Sequence, residues 1–217
     1  MAKPVLVIGN KAYSSWSLRP WLLMTHAGIE FDEERIALYQ ADSRERMQRY
    51  SPAGRVPVLV DGDLTVWDSL AICEYLAEKH PEKQLWPTDV HARANARSIC
   101  AEMHSGFASL RSQMPMNVRA RMPGRGKPPE VRADISRIEA MWNDCRTRFG
   151  SQGPFLYGQF SIADAMYAPV VTRFHTYDVG LAGAPSEYLE TILRLPAMQA
   201  WIAGAQGETE VIKQYEP

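Results

Sequence analysis

Asp61-Gly62 separates two apolar runs, Val56 to Val60 and Leu64 to Trp67, and no other stretch constrains the fold of this chain as strongly. Both residues of such a pair tolerate positive φ, so the runs are expected to fold back on each other as an antiparallel hairpin. The preceding residues supply a sheet for it. Pro4 to Ile8 is short, apolar and β-branched, ends at Gly9-Asn10, and reads as a buried strand. Phe31 to Leu38 begins charged, ends apolar and reads as a second strand. Between them Leu18, Trp21, Leu22 and Thr25 recur at helical spacing, with Gly28 placed for the left-handed turn of a C-cap. Tyr39 to Tyr50 is polar and reads as an exposed helix or loop. Asp68-Ser69 then opens a helix over Leu70 to His80, with Ile72, Tyr75 and Leu76 facing inward and Pro81 ending it. Strand, helix, strand, hairpin, helix makes a small α/β layer unit that closes near residue 80.

No strand signal follows. A linker is expected over 81–88, where Pro81 and Pro87 break the pattern, and an all-α unit over 89–217. Asp89 to about Met114 reads as one helix through Ile99, Met103, Phe107 and Leu110, and Val131 to Phe149 as another. Met114 to Pro129 between them is rich in Pro, Gly and Arg. Ser161-Ile162-Ala163-Asp164 reads as a helix start in which Ser caps and the acid reaches back. Two shorter helices, Pro185 to Arg194 and Pro196 to Gln206, complete the unit.

The 24 Lys and Arg nearly cancel the 25 Asp and Glu, which argues against nucleic acid or an anionic membrane as partner and for a small ligand. No apolar stretch approaches the roughly 20 residues that span a bilayer, and no cleavable leader is legible, so a soluble, unprocessed, cytoplasmic protein is expected. Cys73, Cys100 and Cys145 are far apart and read as small buried hydrophobes, with neither a disulfide framework nor a zinc site. His26, His80, His91, His104 and His175 show no ligand spacing, so no metal is expected.

Three places can carry chemistry. Ser14, Ser15 and Ser17 precede an apolar-periodic helix, and one of them is its cap. No histidine lies close in sequence, and a serine nucleophile without a base is inert, so a hydrolase triad has little support. A serine hydroxyl can instead donate to a thiolate. Lowering a thiol from about 8.5 to about 6.5 takes about 2.7 kcal/mol, which one charge-assisted hydrogen bond and a helix N-terminus can supply. Val56-Pro57 opens a strand. The residues alone favour a trans bond, since only about 5–6% of such bonds are cis, whereas a cis bond would turn the Val56 N–H and C=O toward an extended peptide. Asp68-Ser69 is an N-cap that can also grip an α-amino acid end, the helix N-terminus holding its carboxylate and Asp68 its ammonium.

Taken in order, Tyr13-Ser14-Ser15-Trp16-Ser17-Leu18-Arg19, Ser51-Pro52 with Val56-Pro57, Asp68-Ser69 with Ile72 and Tyr75-Leu76, and Ser161-Ile162-Ala163-Asp164 resemble the cytosolic glutathione transferase superfamily, serine-type and nearest the zeta class. The resemblance implies a thioredoxin-like glutathione-binding domain over 1–80 and an all-helical domain over 89–217 that contributes the hydrophobic-substrate site. It implies Ser14 as the thiolate-stabilising hydroxyl, with Ser15 and Ser17 as its alternates. Val56, ahead of a cis Pro57, is implied to pair with the cysteinyl part of glutathione, and Asp68 and Ser69 to hold the γ-glutamyl end. Ala53 and Gly54 lack the side chains that some classes use for the glycyl carboxylate, so Arg55 is the substitute. Ser161 and Asp164 are implied to be a folding element. Tyr13, Trp16, Met103, His104, Phe107, Arg111 and Arg173 are the candidates for the second-substrate cleft. Arg111, Arg119, Arg121, Arg125 and Lys127 form a basic segment read as a solvated loop, with a mouth attracting anionic electrophiles as the alternative. Glutathione is the implied cosubstrate, a small electrophile its acceptor, and a homodimer the implied assembly. Trp16 stands where zeta members that isomerise maleylacetoacetate have cysteine, so conjugation is the first expectation. An isomerase and a non-catalytic binding member are the alternatives. No cysteine lies between Tyr13 and Arg19, which argues against thiol-transferase chemistry.

Overall fold

In the computed structural model, which describes residues 3–217, β1 (Val5–Ile8), β2 (Asp32–Arg35), β3 (Val58–Asp61) and β4 (Leu64–Trp67) form one mixed sheet in the order β2-β1-β3-β4. β1 and β2 run parallel, with Val5 opposite Asp32, and the crossover that a parallel pair needs is α1 (Ser15–Ala27). β3 runs antiparallel to β1, with Val7 opposite Val58, so the hairpin docks through its first strand. α2 (Ser43–Gln48) is a short excursion before it, and α3 (Ser69–Lys79) follows it.

The hairpin turn lies one residue later than the sequence suggests. Asp61 ends β3 opposite Leu64, and Gly62, at φ 61°, takes the positive-φ position. Asp61 is held in the strand by its carboxylate, which accepts from Tyr75 Oη (2.7 Å) and from Lys79 Nζ on α3. Those two donors also hold the Asp61 carboxyl below its ordinary range. β2 is shorter than the expected Phe31 to Leu38 because the chain leaves the sheet edge after Ile36. The Leu38 N–H then donates to Asn10 Oδ1 (2.7 Å) instead of a strand.

Helices make the second layer: α4 (Val90–Ser105), α5 (Ala108–Gln113), α6 (Pro129–Phe149), α7 (Ile162–Thr176), α8 (Ala184–Arg194) and α9 (Pro196–Gln206). The single helix expected over Asp89 to Met114 is two. Gly106 is extended (φ −100°, ψ −166°) and Phe107 sits at φ 57°, so the helix does not run through this pair, and a Cβ on Gly106 would lie 2.7 Å from the Glu102 carbonyl. Arg111 from α5 closes the break. It donates to Gly106 O (2.9 Å), His104 O (3.3 Å) and Met103 O, carbonyls that lose their helical donors where α4 stops. No helix among the described residues is long and apolar enough to cross a membrane, and all three cysteines are buried.

α1 packs against α7, α3 and α9, so the first helix joins the sheet layer to the helical one. Trp21 on α1 meets Trp201 on α9 edge-to-face at 5.1 Å, an arrangement that suits the ring quadrupoles. α7 is buried on nearly every face and is set by its N-terminus. Ser161 and Asp164 form the expected capping box, in which the buried Asp164 accepts from Ser161 N (2.8 Å) and Leu156 N (3.2 Å). Burial nevertheless pushes its carboxyl up to about 6. Asp164→Ala strips two buried amides of their acceptor and is expected to cost about 2–4 kcal/mol, from the typical price of a cap and of an unsatisfied buried donor. Urea unfolding checks it; a loss under about 0.5 kcal/mol would show that α7 does not depend on this box.

Candidate functional site

The start of α1 is built from serines that bond to one another. Ser14 is the N-cap, its Oγ accepting from Ser17 N (3.4 Å) and donating to Ser17 Oγ (2.8 Å). Ser17 Oγ in turn accepts from Gly9 N at the end of β1 (3.1 Å). Ser17 has no exposed surface, so the structure takes it out of direct contact with a ligand and makes it the tie between strand and helix. Ser14 and Ser15 both line a cavity of about 730 Å³ between the α/β layer and the helices. Among the described residues nothing bonds the Ser15 hydroxyl, whereas Ser14 is engaged by Ser17.

A second cavity, of about 600 Å³, abuts the first, and Trp16, Arg55 and Val56 border both. It gathers Pro57, Asp68, Ser69 and His104, so the residues expected from three separate stretches do meet. Val56-Pro57 is cis, against the reading of the residues alone and in line with the resemblance. Val56 precedes β3, and no hydrogen bond among the described residues occupies its N–H or C=O. Asp68 adopts φ 76° and caps α3, its Oδ1 accepting from Leu70 N (2.9 Å) and Ala71 N (3.4 Å). Its Oδ2 lies 3.2 Å from His104 Nε2 on α4. Burial lowers the His104 pKa below the ordinary imidazole value and Arg19 and Arg111 lower it further, while Asp68 alone opposes them.

The larger cavity is cationic. Arg44, Arg55, Arg111 and Arg173 line it, and no aspartate or glutamate does. Arg173 is fully buried on α7 and spends Nε on Met114 O (2.8 Å) and Nη1 on Pro169 O (3.2 Å), which leaves its second amino group with no protein partner among the described residues. Burial, and the like charge of Arg111, lower it to about 9. The guanidiniums of Arg19 (4.3 Å) and Arg111 (4.9 Å) both approach the Trp16 ring, with His104 edge-on to it at 5.2 Å.

Other expectations change. Met103 and Phe107 line neither cavity and belong to the core: Met103 lies on the buried stripe of α4 with Ala96, Ile99 and Cys100, and Phe107 is buried at the break before α5. Tyr13 does line the larger cavity, but its hydroxyl is engaged elsewhere: it donates to Glu216 and accepts from Arg119 and from Ile212 N (3.3 Å). Arg119 also holds Glu208 O (2.7 Å) and Glu210 O (3.1 Å), while Arg121 and Lys127 (2.7 Å) donate to the His175 and Asp178 carbonyls. The segment is a surface loop with Arg121 and Arg125 exposed, and the backbone bonds of Arg119, Arg121 and Lys127 pin it in place. Sequence reasoning missed Tyr39, Arg44 and Tyr215, which line the larger cavity, and it gave Arg19 no role. Tyr215 lies on a C-terminal tail with no periodicity, its hydroxyl 3.1 Å from that of Tyr39. Arg44 lies in a charge run that looks exposed. Among the described residues no group of His, Cys, Asp and Glu could hold a metal ion.

Residues 13–79 match the family described as Glutathione S-transferase, N-terminal domain, and residues 128–204 match Glutathione S-transferase, C-terminal domain. The chain belongs to the glutathione S-transferase family. Its similarity to other glutathione S-transferases runs the length of the chain. It is 26% identical to a probable maleylacetoacetate isomerase of Caenorhabditis elegans, over 91% of this chain and 92% of that one. It is 27% identical to Glutathione S-transferase Z2 of Arabidopsis thaliana, over 92% and 93%. The fold matches a Burkholderia glutathione transferase homologue crystallised with bound glutathione, with a TM-score of 0.73 at 20% identity over 95% of this chain and 100% of that one. The thioredoxin-like sheet with its helical second domain is thus the architecture of glutathione S-transferases.

The His104 environment is directly measurable. Its imidazole is expected to titrate below the ordinary value of about 6.5 in an NMR pH titration of the unliganded protein. Asp68→Asn removes the one influence that raises it and is expected to move the midpoint lower still; an upward move would mean the pair at 3.2 Å does not form in solution.

Proposed function

We propose that this glutathione S-transferase binds glutathione across the two abutting cavities and joins its sulfur to a small electrophile that carries a carboxylate. The observation that carries the proposal is the shared border at Trp16, Arg55 and Val56. It sets an unpaired strand-like backbone between an α-amino-acid grip, Asp68 and Ser69, and a hydroxyl pair at a helix N-terminus, Ser14 and Ser15. A tripeptide laid along Val56 has its γ-glutamyl end at α3 and its thiol at α1. Arg55 stands near its other, glycyl carboxylate.

Ser14 is the hydroxyl assigned to the sulfur. Its oxygen already accepts from Ser17 N, which makes its proton a better donor. When that proton turns to the thiolate, the hydroxyl hydrogen of Ser17 can donate back to Ser14 Oγ across the same 2.8 Å contact, so the cap survives the switch. The positive end of α1 adds to the effect, and together they favour the ionised thiol at neutral pH. The thiolate attacks the electrophilic carbon and the leaving group departs with the bonding pair. Arg111 and Arg173 support the carboxylate because their charges face a cavity without acids, and a planar oxyanion accepts from a guanidinium edge.

The domain limits follow the same reading, with 1–80 as the glutathione domain, 81–88 as the linker and 89–217 as the helical domain. Cytoplasmic location and a homodimer follow from the family, and sedimentation checks the dimer. A second reading, a glutathione-dependent isomerase, is favoured by the name of the Caenorhabditis elegans relative and by the same arginines. The two differ in whether glutathione is consumed or returned.

Ser14→Ala is expected to lower kcat/KM for conjugation about 100-fold and to raise the thiol pKa of bound glutathione by about 2 units, while Ser15→Ala stays within about threefold. Thiolate absorbance against pH reads the shift; the reverse pattern would move the role to Ser15. Arg173→Met is expected to cost about 10- to 100-fold with an electrophile bearing a carboxylate and little with its methyl ester. Equal losses on both would remove the anion from the reading.

A further inference from the structure

Pro115 and Tyr215 border both the 730 Å³ cationic cavity and a further, smaller cavity of about 230 Å³. The larger cavity therefore abuts another chamber across this pair, and the two residues that separate them differ in freedom. Pro115 is fixed. Its ring locks the backbone, its carbonyl accepts from Tyr177 Oη (3.1 Å), and the Met114 carbonyl before it accepts from Arg173 Nε (2.8 Å). Tyr215 is pinned through its main chain, its N–H donating to Ile212 O (2.8 Å) and its carbonyl accepting from Asn117 Nδ2 (3.0 Å). Its side chain has a single hydrogen bond, hydroxyl to hydroxyl with Tyr39, and ring contacts with Tyr13 and Tyr39 at 6.0 and 6.3 Å.

Tyr39 has little structural reason to be a tyrosine. It is 67% exposed, it belongs to no hydrophobic cluster among the described residues, and it takes φ 59°, a left-handed backbone that is costly for a bulky side chain. The bond to Tyr215 supplies the reason. It joins the α/β layer to the C-terminal tail beside the cationic cavity and holds the Tyr215 ring in one rotamer.

The chamber behind the ring differs in chemistry from the cavity before it. The larger cavity is lined by arginines without acids, whereas the smaller carries both signs, Arg125 and Glu216, and the Glu216 charge is met by Arg119. The side-chain amides of Gln113 and Gln214 also line it, and neither has a hydrogen bond among the described residues. Such a lining selects hydrogen-bonding groups over charge, and free amides match another amide as both donor and acceptor.

We propose that Tyr215 is a side-chain gate, latched by Tyr39, between the acceptor cavity and an outer subsite that takes an uncharged, amide-bearing arm of the acceptor. An electrophile whose carboxylate faces Arg111 and Arg173 extends its arm past Pro115 when the Tyr215 ring turns aside and its bond to Tyr39 opens. This rests on the conjugation reading given above and adds the class of acceptor, a carboxylate with a neutral polar arm.

The test measures kcat/KM for glutathione conjugation of a chloronitrobenzoate, of the same compound with a carboxamide-ended arm, and of the same compound with an alkyl arm of equal length. In the parent the carboxamide arm is expected to outperform the alkyl arm by about fivefold, the size of one net hydrogen bond. Tyr215→Phe and Tyr39→Phe keep both rings and break the latch from either side. Each should raise the ratio of either armed compound to the bare one by about fivefold, and the double substitution should raise it no further, because one bond is lost in every case. Gln113→Leu combined with Gln214→Leu should cancel the preference for the carboxamide arm. Should one phenylalanine variant fail to fold, the other still reads the latch. An unchanged ratio in the folded phenylalanine variants, additive gains in the double variant, or an alkyl arm accepted as well as the carboxamide by the parent would each overturn the inference and leave the conjugation reading standing. A parent that conjugates none of these compounds would overturn that reading, and this inference with it.

Discussion

The bond from Gly9 N to Ser17 Oγ is the constraint on which the candidate site depends. It ties the last turn off β1 to the first turn of α1, and α1 is the helix that packs on α3, α7 and α9. A hydroxyl at this point has two jobs that no apolar residue could combine. It satisfies a buried amide beyond the strand, and it presents its remaining valences to Ser14, so the cap of α1 is held from below. The position of Ser14 relative to the cavity is therefore fixed by the sheet and not by a loop. Rigid placement of this kind is what a weak donor needs if it is to bias a thiol, because the gain from one hydrogen bond is lost when the donor wanders.

Around this fixed point the chain accumulates positive charge and withholds the acids that would quench it. The net charge is −1, so the imbalance is local. Arg35, Arg46, Arg49, Arg97 and Arg137 all have carboxylate partners, and most of them lie at the surface, where such pairs matter little. Arg19, Arg111 and Arg173 have none among the described residues, and burial lowers the pKa of each. Their backbone bonds explain why Arg111 and Arg173 can stay, since Arg111 closes carbonyls left open where α4 ends and Arg173 donates to Met114 O just past the end of α5. What backbone carbonyls cannot do is neutralise a full charge. A cavity walled by such groups selects by sign before it selects by shape.

Much of this architecture is legible in the sequence because local rules decide it. The Gly28 cap, the Ser161–Asp164 box and the paired apolar runs around Gly62 each follow from a few neighbouring residues. The misses arise where a distant side chain overrides the local rule. Asp61 stays in β3 because Tyr75 and Lys79 claim its carboxylate from a helix that has not yet formed when the turn is read. Arg111 stabilises a break at Gly106-Phe107 that helical periodicity passes over, and Phe107 is buried at that break instead of facing the cleft. The tail was silent for the same reason. Glu208 accepts from Lys11 N (2.7 Å) and Ala12 N (2.9 Å), contacts spanning nearly the whole chain, and no pattern within the tail announces them. The site residues were legible as candidates, but their orientation was not: three serines look alike in sequence, and only the bonds to Gly9 and Ser17 separate the tie from the two that face the cavity.

Trp16 shows how the cationic wall and the serine start are made compatible. Two guanidiniums approach one indole, at 4.3 and 4.9 Å, and the electron-rich ring face attracts each of them although they repel one another. A cysteine at this position would provide neither the faces nor the bulk, and Arg19 would then confront Arg111 with only thiols nearby. The ring also borders both cavities, so the residue that attracts both charges is also the partition between the two cavities. An aromatic partition cannot ionise, oxidise reversibly or add to an alkene, so Trp16 brings shape and a π face to the cavities and no nucleophile of its own. The departure from cysteine at Trp16 is thus more than the loss of a reactive group. It is coupled to Arg19 and Arg111, and the arginines, the ring and the serines form one electrostatic unit at the start of α1.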